Sequence, residues 1–152
     1  DEVETPEHYR APLAAMKARG LPLICANPDL VVERGDKLIF CAGAIAQAYE
    51  EIGGTAIWCG KPYRPIYDTA FARAEVIRGG AIAREKVLGI GDALRTDIAG
   101  ANDAGFDSLF ISGGIHAQEL KSIDGAIPDT ESLAELFTGH AHPRGVMGRL
   151  VW

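Results

Sequence analysis

Along the chain, short apolar runs alternate with segments of helical period, and glycine or proline closes most of them. Thr5, Pro6 and Gly20 are cap, first-turn and stop signals around a predicted helix with Tyr9, Leu13 and Met16 on one face. Residues 21–26 (LPLICA) read as a strand, followed by the turn Asn27-Pro28-Asp29. There an asparagine precedes a proline, and an aspartate can bond its own backbone. Residues 37–41 read as a strand or strand-like entry. Residues 43–52 form a predicted helix with Ile45, Ala48, Tyr49 and Ile52 at helical spacing and Gly53-Gly54 as its stop. A strand over 55–59 and the turn Gly60-Lys61-Pro62 come next.

Over residues 63–78 the set Ile66, Tyr67, Ala70, Phe71, Ala74 and Ile77 predicts a sheet-covering helix ended by Gly79-Gly80. Val87, Leu88 and Ile90 then make a buried-strand run, Gly91 a tight turn, and Asp92 falls at the strand's carboxyl end. Asp97 opens a further helix containing Ile98 and Ala101. A strand over 107–112, a helix over Thr130–Phe137 and an irregular tail over 139–152 complete the pattern, with Trp152 expected to pack on the surface or fray. Strands without polar alternation, separated by helices, predict an α/β fold with a parallel, Rossmann-like sheet and flanking helices.

The length suits one domain, and 47% apolar residues suffice for a core. Fifteen basic and 21 acidic side chains leave a formal charge of −6, with the signs interspersed, which argues against a nucleic-acid partner. No apolar run approaches the ~18 residues of a membrane span, and the first ten residues are polar, unlike a signal peptide. Cys25, Cys41 and Cys59 lie in apolar stretches without C-x-x-C spacing, as expected of buried thiols in a reduced, cytoplasmic protein.

Asp92 and Asp97 have two readings. Carboxylates at a strand's carboxyl end suit a hard cation such as Mg²⁺, and Asp also commonly turns a chain or caps a helix. Lys61, between a glycine and a proline at the end of the preceding strand, could neutralise a phosphate or lie on the surface. Adjacent strands of a right-handed βαβ unit would bring Lys61 and Asp92 to one sheet edge. Ser112 could contact a phosphate or cap a strand. His116 lies near an expected helix start, and His140 and His142 lack a third metal ligand. Leu94 replaces the third glycine of a dinucleotide fingerprint, and no G-x-S-x-G elbow occurs.

Taken together, ANPDLVV at 26–32, CAGAIAQAYEEIGG at 41–54, WCGKP at 58–62 and GIGDALRTDIAGANDAG at 89–105 resemble the haloacid dehalogenase superfamily, most of all its NagD-like, class IIA phosphatases with an α/β cap. The resemblance covers most of residues 21–138. It implies a Mg²⁺-dependent phosphate-ester hydrolase acting on a small phosphorylated metabolite. Lys61 then matches the lysine that holds the transferring phosphoryl group, Asp92 the metal-binding aspartate, and Asp97 the second acid supporting the metal shell or the lysine. Asn27 and Asp29 match the cap's specificity loop. Residues 1–54 would be the tail of the cap, 55–138 the second half of the core, and 139–152 a carboxyl-terminal tail.

The family's Asp-x-Asp nucleophile motif is absent from all 152 residues. Without it no phosphoaspartyl intermediate can form, and electrostatic help from Lys61 and a metal cannot replace it. The expectation is therefore a carboxyl-terminal portion of a longer phosphatase, inactive alone, and homo-oligomeric through an exposed sheet edge. The alternative is a non-catalytic binding or assembly module that retains the fold.

Overall fold

The structure, a computed structural model, describes residues 3–34, 37–122 and 125–151. It separates into two compact units, residues 1–65 and 66–152. Parallel strands flanked by helices make the protein α/β.

In the first unit a 3₁₀ turn over Pro6–Tyr9 leads into α1 (Arg10–Ala18). Thr5 and His8 form the capping box, and Gly20 takes the left-handed φ of 63° that ends the segment. Strand β1 (Leu23–Cys25) is followed by a hairpin of β2 (Val31–Arg34) and β3 (Lys37–Phe40), paired antiparallel with Val31 opposite Phe40. Helix α2 (Ala42–Glu51) then returns the chain to β4 (Ala56–Trp58), which runs parallel to β1 with Cys25 opposite Trp58. Small residues let α2 lie close: Gly43, Ala44, Ala46 and Tyr49 are its buried positions, and the Tyr49 hydroxyl donates to the Leu21 carbonyl at 2.5 Å.

The second unit is built on a parallel sheet of order β5-β6-β7. Helix α3 (Arg64–Arg78) precedes β5 (Leu88–Gly91). A π-helical turn over Leu94–Ile98 leads into α4 (Ala99–Asp103), and β6 (Asp107–Ile111), α5 (Thr130–Phe137) and β7 (Gly145–Met147) follow. One core cluster joins Leu94, Ile98, Phe110, Leu120 and Phe137. A second joins Ala101, Ala104 and Phe106, with Tyr67 and Phe71 of α3 packed on it.

Among the described residues, β4 is hydrogen-bonded to β1, and β5 to β6. Two expectations need correction. The tail is not wholly irregular, because Gly145–Met147 adds a strand beside β6, anchored by Arg144 N–H donating to the Ser108 carbonyl at 2.8 Å. The stripe on α3 is narrower than its periodicity suggests: Ile77 is 81% exposed, and Tyr67 and Phe71 do the packing. Trp152 lies outside the described residues.

Candidate functional site

Two clusters of chemically capable residues form at strand carboxyl ends, one in each unit. In the first, parallel pairing sets the ends of β1 and β4 side by side, with Cys59 N–H donating to the Cys25 carbonyl at 2.9 Å. Beyond β1 the Asn27 side-chain oxygen accepts the Asp29 N–H at 3.2 Å, and the Cys25 thiol donates to the Asn27 carbonyl at 3.1 Å. Beyond β4, buried Gly60 packs against the Ala26 carbonyl and the Pro28 ring, and a side chain there would collide with both. Gly43 of α2 is equally close to the carbonyls of Pro28 and Asp29, and its N–H donates to the Asp29 oxygen at 3.0 Å. This bond satisfies one of the amides left unpaired at a helix start. Asn27, Asp29 and Lys61 thus come to one end of the β1–β4 pair, all three exposed, and the Lys61–Pro62 peptide is cis. Burial pushes the Cys25 thiol up, so it is not a poised nucleophile.

The second cluster is Asp92 with Asp97. Strand β5 ends at Gly91, and the next residues turn away so that the Asp97 carboxylate reaches back beneath them. One Asp97 oxygen accepts the N–H groups of both Asp92 and Ala93, each at 3.1 Å. Gly91 makes this approach possible, since an added Cβ would strike the Asp97 carboxyl group. The Asp92 carboxylate meets the loop after β6, where its Oδ2 accepts the Ile115 N–H at 2.9 Å. Gly114 clears the space, because a Cβ there would overlap the Asp92 carboxylate. The Asp92 Oδ1 has no hydrogen-bond partner among the described residues.

The two aspartates therefore differ in what they can do. Asp97 spends an oxygen on two backbone amides and orients the strand-end turn. Asp92 is half-buried, held at one oxygen and open at the other. Mg²⁺ is commonly bound by one or two carboxylates completed by water and substrate phosphate, so Asp92 fits as one ligand. No group of three His, Cys, Asp or Glu side chains that could hold a metal occurs among the described residues. Beside this cluster Tyr67 donates its hydroxyl to the Thr96 carbonyl at 3.1 Å and lies against Gly100. Burial, with the charges of Asp97 and Asp103, raises its phenol above the ordinary range.

The other sequence candidates make these contacts, and His140 and His142 are exposed. Ser112 is buried, with its hydroxyl 2.9 Å from that of Ser122. His116 pairs with Glu119 at 2.9 Å. The His142 and Phe137 rings meet at 71° with centroids 5.8 Å apart, and the His142 carbonyl accepts from Asn102 at 2.9 Å. The sequence reading missed the Ile115 amide. The available signal was the Gly113-Gly114 pair just past β6, where glycine permits close backbone approach. No described helix is long and apolar enough to cross a membrane.

Fold and site together define a parallel α/β protein with carboxylates at a strand end, the arrangement in which such sheets bind ligands. The family described as HAD-hydrolase-like matches residues 58–136, just over half of the chain. A haloacid dehalogenase-like hydrolase from Brucella suis 1330 is 45% identical, with a TM-score of 0.66, over 99% of this chain and 52% of that one. The chain belongs to the haloacid dehalogenase-like hydrolases. The p-nitrophenyl phosphatase of Archaeoglobus fulgidus shares the fold at 21% identity and a TM-score of 0.65, over 97% of this chain and 51% of that one. A possible sugar phosphatase from Cytophaga hutchinsonii does so at 23% identity and 0.61, over 91% and 45%. The chain thus spans about half the length of these solved relatives. No curated protein matches it.

Proposed function

We propose that these residues form the metal-holding and charge-neutralising side of a Mg²⁺-dependent phosphate-ester hydrolase, of the NagD-like, class IIA branch, acting on a small phosphorylated metabolite. The observation that carries this reading is the Asp92 carboxylate at the end of β5, pinned at one oxygen and open at the other. In it Asp92 is the metal ligand, Asp97 holds the turn that presents it, and Lys61 neutralises phosphoryl charge. Asn27 and Asp29 stand in a cap-like specificity loop. Bound Mg²⁺ would supply charge neutralisation at the phosphoryl oxygens. On this reading residues 1–54 are the tail of the cap, residues 55–138 the second half of the core and residues 139–152 a carboxyl-terminal tail; the family match over residues 58–136 supports the core assignment. The phosphatase names of relatives support the phosphate-ester class. The net charge of −6 argues against nucleic acid, and the reduced thiols fit a cytoplasmic setting.

The 152 residues hold no Asp-x-Asp, so no nucleophile is assigned among them. The test pairs two measurements on the 152-residue chain: hydrolysis of p-nitrophenyl phosphate with Mg²⁺, and calorimetric titration with Mn²⁺ as a Mg²⁺ surrogate. Background hydrolysis is expected, together with Mn²⁺ binding that Asp92→Asn abolishes. Turnover that depends on Asp92 would sink the missing-nucleophile assignment, and Mn²⁺ binding indifferent to Asp92→Asn would sink the metal assignment.

A second reading, a non-catalytic binding or assembly module, draws on exposed apolar positions. Leu88 and Ile90 of the edge strand β5 are 50% and 42% exposed, although parallel sheets are ordinarily covered on both faces. On this reading the β5 edge joins copies of the chain into a homo-oligomer. Light scattering would show a complex that survives Asp92→Asn and Lys61→Ala but dissociates in Ile90→Lys; a monomer throughout would end it.

A further inference from the structure

The loop after β6 is tied down at several backbone points. Ser112 N–H donates to the Met147 carbonyl at 3.0 Å, Gly113 N–H to the Gly148 carbonyl at 2.9 Å, and Ala117 N–H to the Gly114 carbonyl at 3.0 Å. Leu120 N–H donates to the His116 carbonyl at 2.9 Å, and His116 and Glu119 are joined through their side chains at 2.9 Å. Gly113 itself lies against the Gly148 backbone. A loop so anchored holds the Ile115 amide at a set position, 2.9 Å from Asp92 Oδ2. The Ile115 side chain, by contrast, is 69% exposed and contributes little packing.

From this we propose that Gly114 and the Ile115 backbone amide are positioning groups for Asp92: they fix its carboxylate so that Oδ1 alone is presented at the strand end. The inference rests on the metal reading of Asp92 and names what orients that ligand. An acceptor held by a rigid amide keeps one rotamer, and a ligand kept in one rotamer loses less freedom when a cation binds. Gly114 is needed because any side chain there would occupy the carboxylate's place. The pattern repeats that at Asp97, where Gly91 gives clearance and two amides hold the carboxylate. Residues 91–97 and 112–117 thereby form one bracket linking the ends of β5 and β6.

Gly114→Ala, Ile115→Ala and Asp92→Ala test it in the full 152-residue chain, with circular dichroism as the check on folding. Amide hydrogen exchange by NMR is the readout that needs no metal. Ile115 N–H is expected to be protected in the unmodified chain, to lose that protection in Asp92→Ala and Gly114→Ala, and to keep it in Ile115→Ala. Mn²⁺ titration is the second readout, where Gly114→Ala should weaken binding by about 10- to 100-fold, as for other groups that orient metal ligands, and Ile115→Ala should not. Ile115 protection indifferent to Asp92→Ala overturns the proposal. So does a folded Gly114→Ala chain that binds Mn²⁺ as tightly as the unmodified one while Asp92→Asn does not bind. If the unmodified chain binds no Mn²⁺, the metal reading fails by itself, and the exchange result still decides whether Gly114 and Ile115 hold Asp92.

Discussion

The Asp97 carboxylate accepts the Asp92 backbone N–H at 3.1 Å with the same oxygen that takes the Ala93 N–H. Asp97 therefore acts on its neighbour through the backbone, five residues back along the chain. A shared charged acceptor for two partly buried amides is worth more than a neutral one, because both donors lose water on folding. Asp97→Ala should destabilise the chain by about 2–4 kcal/mol in urea unfolding, and Asp97→Asn, which keeps an acceptor oxygen, by clearly less. Equal losses in the two variants would show that the amides do not depend on that oxygen.

Phe110 is fully buried on β6 and meets Phe137 of α5 edge-on at 5.6 Å. Truncation there leaves a cavity that the sheet cannot collapse around. Phe110→Ala should cost about 3–5 kcal/mol in the same assay.

The Tyr67 phenol has its ionisation raised, first by burial and then by the charges of Asp97 and Asp103. A raised value means the folded state holds the proton more tightly than the unfolded chain. The associated stability is present below the ordinary phenol pKa of about 10 and is lost as pH rises through the folded value. Absorbance titration near pH 10 should show a high-pH phenolate step that is missing in Tyr67→Phe. That variant should also lose about 1 kcal/mol at neutral pH with the hydrogen bond to Thr96.

Asp129 caps α5, accepting the Ser132 N–H at 2.9 Å and its hydroxyl at 2.8 Å. The Ser132 amide, more than the hydroxyl, holds the carboxyl below its usual range. Its contribution is present above the ordinary carboxylate pKa of about 4 and is lost as pH falls through the lowered folded value. Asp129→Ala should lower the melting temperature at pH 7, and the difference from the unmodified chain should shrink in acid. A constant difference from pH 7 to pH 2 would contradict the cap.

Much of the local structure was legible in the residues because its causes are local. Helix α5 spans Thr130–Phe137 as expected, and Thr5, Pro6 and Gly20 bracket the first helical segment. The hairpin strand β2 was not anticipated, although Gly35-Asp36, which lie outside the described residues, separate two apolar runs in the manner of a two-residue hairpin. Three-residue strands such as β7 carry too few positions to show a period at all.

By itself the sequence determined the alternation of strands and helices, the placement of Asp92 just past an apolar strand, and the kinship with the haloacid dehalogenases. Each of these depends on side-chain identity over a short stretch. Only the tertiary structure decided which strands pair, so that β4 joins β1, and which group holds Asp92, the amide of a residue 23 positions away. Both depend on backbone N–H and C=O groups, which nearly every residue carries alike, and their partners are chosen by long-range register and packing that no local pattern encodes.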